Sequence, residues 1–265
     1  MRESFNSKKR IVIKVGTSTL TYPNGKINLS RMSRLAWVLS DLLNRDKEVV
    51  LVSSGAIAVG TARLNLAERP AEIKGKQAVS AVGQAILMQM YENFFMQYNQ
   101  IIAQILLTKD VVKDPYLKEN ARNTFNALFD MRVIPICNEN DTVSVEELGF
   151  SDNDALGSYV AGLIESDLLI MLSDIKGLCD CDPTIYPDAK MIDTVSKIDD
   201  NIKCLAGETK SKNGTGGMRT KLQAAGRAMN YGIDVVVASG ANPEIIFDIL
   251  AGEEIGTLFS GVCVS

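Results

Sequence analysis

Residues 48–60 read EVVLVSSGAIAVG, and their hydrophobic pattern changes at the glycine near the middle. Residues 49–52 form a continuous apolar run rich in β-branched side chains, which is typical of a strand buried on both faces. Two serines and Gly55 end the run, and small and apolar residues with a helical pattern follow. The stretch therefore predicts a strand, a tight turn and a helix.

The same order recurs along the whole chain. Further strands are predicted in residues 10–18 (RIVIKVGTS), 101–108 (IIAQILLT), 133–141 (VIPICNEND), 167–178 (DLLIMLSDIKGL) and 233–243 (IDVVVASGANP). Helical patterns fill residues 27–45, with Asn28 or Ser30 as the N-cap, and residues 76–98, 119–131, 152–166 and 220–232. This alternation predicts an α/β protein with three layers, in which helices cover both faces of a central, mainly parallel sheet. No linker rich in Pro, Gly or Ser divides the chain, so we expect one domain with two lobes.

Composition excludes several classes of protein. The chain has no histidine, which rules out a Ser-His-Asp or Cys-His catalytic group and any histidine-based zinc site. The 28 basic and 32 acidic residues give a net charge of −4 without a basic run, so we expect neither nucleic acid nor membrane as a partner. The five cysteines lack regular spacing and no apolar segment follows the N-terminus, which together indicate a reduced, cytoplasmic protein.

Polar clusters follow the predicted strands, at the edge of the sheet where open α/β folds bind ligands. Lys14 lies in an apolar strand just before Gly16, and a buried lysine is costly without an anionic partner. A strand end with a lysine that reaches solvent is the structural alternative. Residues 53–56 (SSGA) offer hydroxyl and N–H groups to an anion, although a well-capped helix explains them equally well.

Four more clusters have the same position. Residues 138–141 (NEND) and 173–174 (SD) follow apolar strands, and residues 152–154 (DND) begin a helix. A turn is the structural alternative for residues 138–141, and helix capping explains one carboxylate of residues 152–154. Residues 213–221 (NGTGGMRTK) form a glycine-rich loop that ends in Lys221 at a helix start, where a flexible linker is the alternative.

Two separated lysines, anion-binding turns and clustered carboxylates, with no histidine base, fit phosphoryl transfer. Its transition state requires positioning and positive charge around the moving phosphoryl group, and little covalent chemistry from the protein. A carboxylate nucleophile is already ionised at neutral pH, so the absence of histidine is no obstacle to such a reaction.

Six motifs resemble the amino acid kinase family, in the order found there. They are VIKVGTSTL (12–20), VSSGAIAVG (52–60), ICNENDTVS (136–144), SDNDALG (151–157), LSDIKGL (172–178) and GTGGMRTKLQAA (214–225). The resemblance extends from about residue 10 to residue 259. SSGAIAVG, NEND and GTGGMRTK together are similar to the branch of the family that phosphorylates glutamate.

The resemblance implies transfer of the γ-phosphoryl group of ATP to the γ-carboxylate of L-glutamate, the first step of proline biosynthesis. Mg²⁺ is then held mainly through the ATP phosphates, with no metal site of the protein's own. Lys14 and Lys221 would flank the phosphoryl group, and Asp154 would orient both lysines. The residues implied in glutamate binding are Ser54, Gly55, Ala56, Asn138, Asp141 and Asn153. Those implied in nucleotide binding are Lys14, Gly16, Ser173, Asp174, Thr215, Gly216, Gly217, Met218, Arg219, Thr220 and Lys221.

The family also implies an organisation for the chain. We expect a single amino acid kinase domain over residues 1–265, with a glutamate-binding lobe of roughly residues 1–165 and a nucleotide-binding lobe of roughly residues 166–265. Many bacterial relatives continue into a C-terminal PUA domain, and we expect none here. A homo-oligomer (dimer or tetramer), feedback inhibition by proline and functional coupling to the glutamyl phosphate reductase are further expectations. Residues 76–98 are a candidate contact surface between subunits, and an ordinary core helix explains them equally well.

Two departures and two alternatives stand beside this interpretation. Ser151 replaces a common glycine of the family, and residues 179–183 (CDCDP) replace the usual Tyr-Thr-Ala-Asp-Pro. One alternative is a kinase of the same fold that acts on another small acid, against which the glutamate-pocket motifs argue. The other is a nucleotide or amino-acid sensor without turnover, against which the presence of both lysines and Asp154 argues.

Overall fold

The structure is a computed structural model that describes residues 2–144, 150, 152–183, 185–206 and 217–261. Its strands are β1 (Arg10–Val15), β2 (Glu48–Ser53), β3 (Ile102–Leu107), β4 (Ile134–Glu139), β5 (Leu168–Ser173), β6 (Thr194–Val195), β7 (Asp234–Ser239) and β8 (Thr257–Phe259). Its α-helices are α1 (Thr17–Leu20), α2 (Leu29–Asn44), α3 (Ala56–Arg63), α4 (Ile73–Phe95), α5 (Asp110–Lys113), α6 (Pro115–Asp130), α7 (Asn153–Leu163), α8 (Asp200–Leu205), α9 (Met218–Met229) and α10 (Ile245–Ala251). Short 3-10 helices cover Arg2–Ser7 and Met96–Tyr98.

All eight strands form one sheet in the order β3-β4-β2-β1-β5-β7-β8-β6. Every neighbouring pair is parallel except β7 and β8, which are antiparallel. The prediction of a central, mainly parallel sheet is therefore confirmed. In this register Lys14 of β1 lies opposite Val52 of β2 and Met171 of β5, so these three strands end at the same edge.

Helices cover both faces of the sheet, which confirms the predicted three layers. Ile11, Ile13 and Val15 of β1 belong to a buried cluster that includes the apolar faces of α2, α4 and α10. Val12 belongs to the opposite cluster, with buried residues of α7 and α9. Because successive side chains of a strand alternate between its faces, Lys14 points to the same side as Val12. That side carries α7 and α9.

Every predicted helix and strand is present, and the differences lie in their ends and in short elements that were not predicted. Asn28 caps α2 by accepting a hydrogen bond from the N–H of Arg31, which decides between the two caps that the sequence allowed. Helix α6 begins at Pro115, earlier than predicted, because Asp114 caps its first turn. No helix or strand was predicted after β7, whereas α10 and the short β8 follow there.

The long helix α4 contributes one face to the core. Val79, Leu87, Tyr91 and Phe95 are buried, whereas Val82 on another face is exposed.

Within the described ranges, no helix combines the length and the apolar character needed to cross a membrane.

Candidate active site

Three buried charged side chains meet at the carboxyl edge of the sheet. The Nζ atom of Lys14 lies 2.5 Å from Oδ1 of Asp154, and the Nζ atom of Lys221 lies 3.1 Å from Oδ2 of the same carboxylate. The exposed fractions of Lys14, Asp154 and Lys221 are 6%, 1% and 4%. The structure thus brings together the three residues to which the resemblance assigned catalytic roles.

Strand and helix ends determine this meeting point. Lys14 is the penultimate residue of β1, and Asp154 and Lys221 lie in the first turns of α7 and α9. Asp152 caps α7 by accepting a hydrogen bond from the N–H of Ala155 at 2.8 Å. Helix N-termini carry partial positive charge, so both helices favour an anion at this edge of the sheet.

Small and short side chains complete the cluster. A methyl group at Gly157 of α7 would lie 3.3 Å from Cβ of Lys14, so glycine lets the lysine stem pass close to the helix. The Thr220 hydroxyl lies 3.2 Å from Oδ2 of Asp154 and 3.0 Å from the carbonyl oxygen of Gly217, and it can donate to either. Thr220 and Gly217 were predicted as nucleotide-binding residues, and the Thr220 hydroxyl contacts the carboxylate to which both lysines bind.

The electrostatics of the cluster favour an ionised Asp154. Burial alone would raise the pKa of this carboxyl group, but the ammonium groups of Lys14 and Lys221 outweigh that effect, and the pKa is lowered. Of the three groups two are cationic and one is anionic, so the cluster itself has a net positive charge. Positive charge held at helix N-termini suits the binding of phosphate.

A cavity of about 990 Å³ opens at the same edge of the sheet. Its lining includes all six residues to which the resemblance assigned glutamate binding, namely Ser54, Gly55, Ala56, Asn138, Asp141 and Asn153. Because Asn153 precedes Asp154 in the chain, the cavity adjoins the lysine cluster. Substrate-binding and catalytic residues of the sequence prediction therefore lie side by side.

Asn153 connects the strand ends that line this cavity. Its side-chain nitrogen lies 2.8 Å from the Ser54 hydroxyl oxygen, 3.1 Å from the carbonyl oxygen of Ser53 and 3.1 Å from Oδ1 of Asn138. Asn138 in turn donates from Nδ2 to Oε1 of Gln84, at 2.9 Å. These contacts fix the orientation of two amide groups and one hydroxyl group at the cavity wall.

Two carboxylates of the cavity lie in surroundings that disfavour their charge. Burial raises the pKa of Asp141, although a 2.6 Å hydrogen bond from the Ser80 hydroxyl and the charge of Arg69 oppose the shift. Burial likewise raises the pKa of Glu139, which accepts hydrogen bonds from Ser144 and from the N–H of Phe150. A cationic group of a ligand would favour the ionised form of both carboxylates.

Helix α3 begins at the cavity and is held there by α4. Gly55 has a φ of 109°, in the left-handed region that favours glycine, and it precedes the first turn of α3. A methyl group at Gly83 of α4 would overlap the carbonyl oxygen of Ala56, and one at Gly60 of α3 would overlap the carbonyl oxygen of Val79. The two helices therefore pack backbone to backbone, which only glycine permits at these positions.

The predicted nucleotide-binding residues are only partly described. Gly16 follows β1 at the N-cap position of α1. Ser173 ends the neighbouring β5, and its hydroxyl group donates to Asp174 at 2.9 Å. Gly217, Met218, Arg219, Thr220 and Lys221 form the start of α9. Thr215 and Gly216 lie outside the described residues, and so does Ser151.

The segment that departs from the family pattern forms a compact turn after β5. Cys179 pairs with Met191 in an isolated antiparallel bridge, and Oδ1 of Asp180 accepts a hydrogen bond from the N–H of Lys190. Burial raises the pKa of Cys179, and the neighbouring Asp180 raises it further. In the described part of the chain, no three His, Cys, Asp or Glu side chains are placed to hold a metal ion.

Sequence reasoning missed the contribution of α4 to the cavity wall. Ser80, Gln84 and Tyr91 are buried on one face of this helix, and they bond to Asp141, Asn138 and Ser53 respectively. A signal was present, because these three polar residues interrupt an otherwise apolar stripe at helical spacing. Their partners lie far away in the sequence, so only the folded chain reveals what they bond.

Known proteins resemble this chain over almost its whole length. The sequence model of the amino acid kinase family matches residues 9–239. A glutamate 5-kinase of Clostridium perfringens is 51% identical over 263 residues, which cover 98% of this chain and 98% of that protein. A glutamate 5-kinase of Listeria monocytogenes is 53% identical over 264 residues, which cover 98% of this chain and 96% of that protein.

Solved structures of other kinases share the fold. A UMP kinase of Bacillus anthracis superimposes with a TM-score of 0.65 over 97% of both chains, at 17% sequence identity. An isopentenyl phosphate kinase of T. acidophilum, in a product complex, gives a TM-score of 0.64 over 95% of this chain and 100% of that one, also at 17% identity. At such identity these structures support the fold alone.

Proposed function

The chain belongs to the amino acid kinase family, and from that premise we propose that it is a glutamate 5-kinase. It transfers the γ-phosphoryl group of ATP to the γ-carboxylate of L-glutamate, which yields ADP and L-glutamyl 5-phosphate for proline biosynthesis. Identity of about half over nearly the whole chain to proteins of that name supports this function. The single observation that carries the site assignment is the convergence of two buried lysines on one carboxylate beside the cavity.

The two lysines supply positive charge during the transfer. An oxygen of the γ-carboxylate attacks the γ-phosphorus, the bond from phosphorus to the bridging oxygen breaks, and ADP leaves with the electron pair. Lys14 and Lys221 approach from two different elements and would stabilise the charge on the moving group from two sides. Asp154 contacts both ammonium groups and holds them in position without touching the phosphoryl group.

Glutamate occupies the cavity in this proposal. Ser54, Asn138, Asp141 and Asn153 line it with hydroxyl, amide and carboxylate groups, which suit an amino acid that carries both an ammonium group and carboxylates. Gly55 and Ala56 offer backbone N–H groups at the start of α3, where an anion is favoured. Proline shares the α-carboxylate and the cationic nitrogen, so we place it in the same cavity as a feedback inhibitor.

The nucleotide lies on the other side of the lysine cluster. Gly16, Ser173, Asp174 and the start of α9 contact it in this proposal, together with Thr215 and Gly216. Mg²⁺ belongs to the MgATP substrate here, and the cationic cluster fits the charge of its phosphates. The lining of the cavity by residues before residue 165 supports a glutamate-binding lobe of roughly residues 1–165 and a nucleotide-binding lobe of roughly residues 166–265.

The cellular setting follows from the same assignment. We propose a cytoplasmic homo-oligomer (dimer or tetramer), with exposed side chains of residues 76–98, such as Val82 and Met96, as one candidate contact surface. The product is an acyl phosphate, which water hydrolyses, so functional coupling to the reductase that consumes it would limit its loss.

A coupled assay tests the function directly. ADP release is measured with MgATP and, separately, L-glutamate, L-aspartate, N-acetylglutamate, carbamate and UMP, and the acyl phosphate is trapped with hydroxylamine. Activity and hydroxamate with L-glutamate alone are expected. Turnover of another acceptor would contradict the glutamate assignment, and binding of glutamate or ATP without any turnover would indicate a sensor.

A further inference from the structure

A chain of amide groups runs from the cavity wall to a residue that does not line the cavity. The Asn153 nitrogen contacts the Ser53 carbonyl oxygen and the Ser54 hydroxyl oxygen, and Oδ1 of Asn138 accepts from the same nitrogen at 3.1 Å. Nδ2 of Asn138 donates to Oε1 of Gln84 at 2.9 Å. Gln84 is 8% exposed and belongs to α4.

The donor and acceptor of every hydrogen bond in this series follow from one backbone group, the carbonyl group of Ser53. A carbonyl oxygen only accepts hydrogen bonds, so the Asn153 atom that faces the Ser53 carbonyl oxygen is its nitrogen. The Asn138 atom that faces this nitrogen must then be the oxygen, and the nitrogen of Asn138 must point at Gln84. Gln84 therefore has to present an acceptor, which its Oε1 atom does.

The same chain sets the polarity of the groups that face the ligand. The Ser54 oxygen accepts a hydrogen bond from Asn153, so the Ser54 hydroxyl hydrogen is available to donate into the cavity. With the Asn153 nitrogen turned to the strand ends, its Oδ1 atom remains as an acceptor. A donor beside an acceptor matches the carboxylate and the ammonium group of an amino acid.

We propose that Gln84 is a positioning residue for substrate recognition. Its Oε1 atom holds the Asn138 amide in one orientation, and Asn138 thereby keeps Asn153 and Ser54 in the arrangement that binds the amino acid substrate. This inference rests on the proposed glutamate kinase function, and it adds to that function a residue that does not touch the substrate. An Asn138 amide without this acceptor would leave a buried donor unpaired, which favours rotation or displacement of the side chain.

The test is a kinetic comparison of wild type with Gln84→Met, which keeps the length of the side chain but removes the acceptor. We expect the KM for L-glutamate to rise at least about 10-fold, the scale of one unsatisfied buried donor. The KM for ATP and kcat should change less than about threefold, because the lysine cluster makes no contact with Gln84 in this chain of bonds. An unchanged KM for glutamate would overturn the proposal.

Two further variants separate positioning from loss of packing. Leu87→Ala removes a buried apolar side chain one turn further along α4, and it should lower the unfolding temperature without the selective rise in KM for glutamate. The double variant Asn138→Ala with Gln84→Met should have a KM for glutamate within about twofold of that of Asn138→Ala alone, because both changes interrupt the same series of hydrogen bonds. Multiplicative effects, or a KM rise in Leu87→Ala equal to that in Gln84→Met, would contradict a positioning role.

The activity of the wild-type enzyme distinguishes failure of the proposed function from failure of the proposed role of Gln84. Wild-type protein without hydroxamate formation from glutamate would refute the function itself. Wild-type activity with an unaltered Gln84→Met variant would refute only the role of Gln84. Circular dichroism and the unfolding temperature of each variant show whether it is folded before its kinetics are compared.

Discussion

The Asp154 carboxylate lies 2.5 Å from the ammonium group of Lys14, and both side chains are almost completely buried. Asp154 lies in the first turn of α7 and Lys14 is the penultimate residue of β1, so the ion pair joins the N-terminal turn of α7 to the carboxyl edge of the sheet. A buried ion pair gives little net stability, because desolvation offsets the attraction between its charges. Its presence beside the cavity is better explained by the electrostatics of the reaction.

Replacement of Lys221 by alanine tests the second cation of the cluster. We expect turnover to fall at least about 100-fold, the scale found when one group that stabilises transition-state charge is removed. The KM for glutamate should change much less, because Lys221 is not among the residues that line the cavity. Steady-state kinetics with saturating MgATP measure both effects.

Lys9→Ala is the matched control for this loss of charge. Lys9 precedes β1, at the opposite end of the strands, where its exposed ammonium group forms an ion pair with the partly buried Glu48. Such pairs contribute little to stability, so this variant should keep the wild-type rate. A Lys221→Ala enzyme with half the wild-type turnover would show that the role given to Lys221 is wrong.

Asp154→Asn tests whether the carboxylate holds the two lysines. The change leaves two buried ammonium groups close together, so the free energy of unfolding should fall by about 3–5 kcal/mol and activity should be lost. The pKa of Asp154 is lowered from 3.8, so its contribution to stability is present above pH 3.8 and disappears as the pH falls through the lowered value. The difference in unfolding free energy between wild type and variant should therefore narrow in acid; a difference that does not vary with pH would contradict this account.

Sequence patterns were sufficient for six of the eight strands that the structure describes, and for the edge of the sheet where the site lies. The buried strands are continuous apolar runs, and each is followed by glycine or polar residues, so local patterns alone place Lys14 and Asn138 at strand ends. Strand β8 escaped prediction because a three-residue strand has too few residues for a pattern, and its pairing depends on β7. Local periodicity carries no information about such a partner.

The α4 residues that bond to the cavity wall could not be predicted for a related reason. Gln84 and Ser80 occupy helical positions whose spacing indicates only which face of α4 is buried. Whether a polar residue on that face bonds a cavity residue or another helix depends on tertiary packing. The close contact of Gly83 with Ala56 sets that packing, and glycine within a helical pattern gives no indication of its neighbour.

Asp141→Asn should separate stability from binding. Burial raises the pKa of Asp141 above its ordinary value of 3.8, so ionisation of this group in the ligand-free protein lowers stability as the pH rises through the raised value. The neutral amide avoids that cost and still accepts the hydrogen bond from Ser80. The variant should therefore unfold at a higher temperature than wild type at neutral pH, with a smaller difference near pH 4.

The same variant should bind substrate more weakly. A cationic group of glutamate favours the carboxylate over the amide, so the KM for glutamate should rise while the KM for ATP stays near the wild-type value. Differential scanning calorimetry across pH, together with glutamate titrations, measures both properties. A variant that is less stable than wild type at neutral pH would show that Ser80 and Arg69 already compensate the buried charge.

Gly83→Ala tests whether the contact between α3 and α4 sets the shape of the cavity. The added methyl group would overlap the carbonyl oxygen of Ala56, so α3 must shift at the end that lines the cavity. Such overpacking should lower the free energy of unfolding by about 1–3 kcal/mol and raise the KM for glutamate. Gly226→Ala in α9 is the matched control, because a methyl group there lies 3.4 Å from its nearest neighbour, Cδ1 of Ile198. The free energy of unfolding of Gly226→Ala should rise by about 0.5–1 kcal/mol, because alanine is favoured over glycine within a helix. The same rise in Gly83→Ala would show that α3 and α4 can move apart without loss of stability.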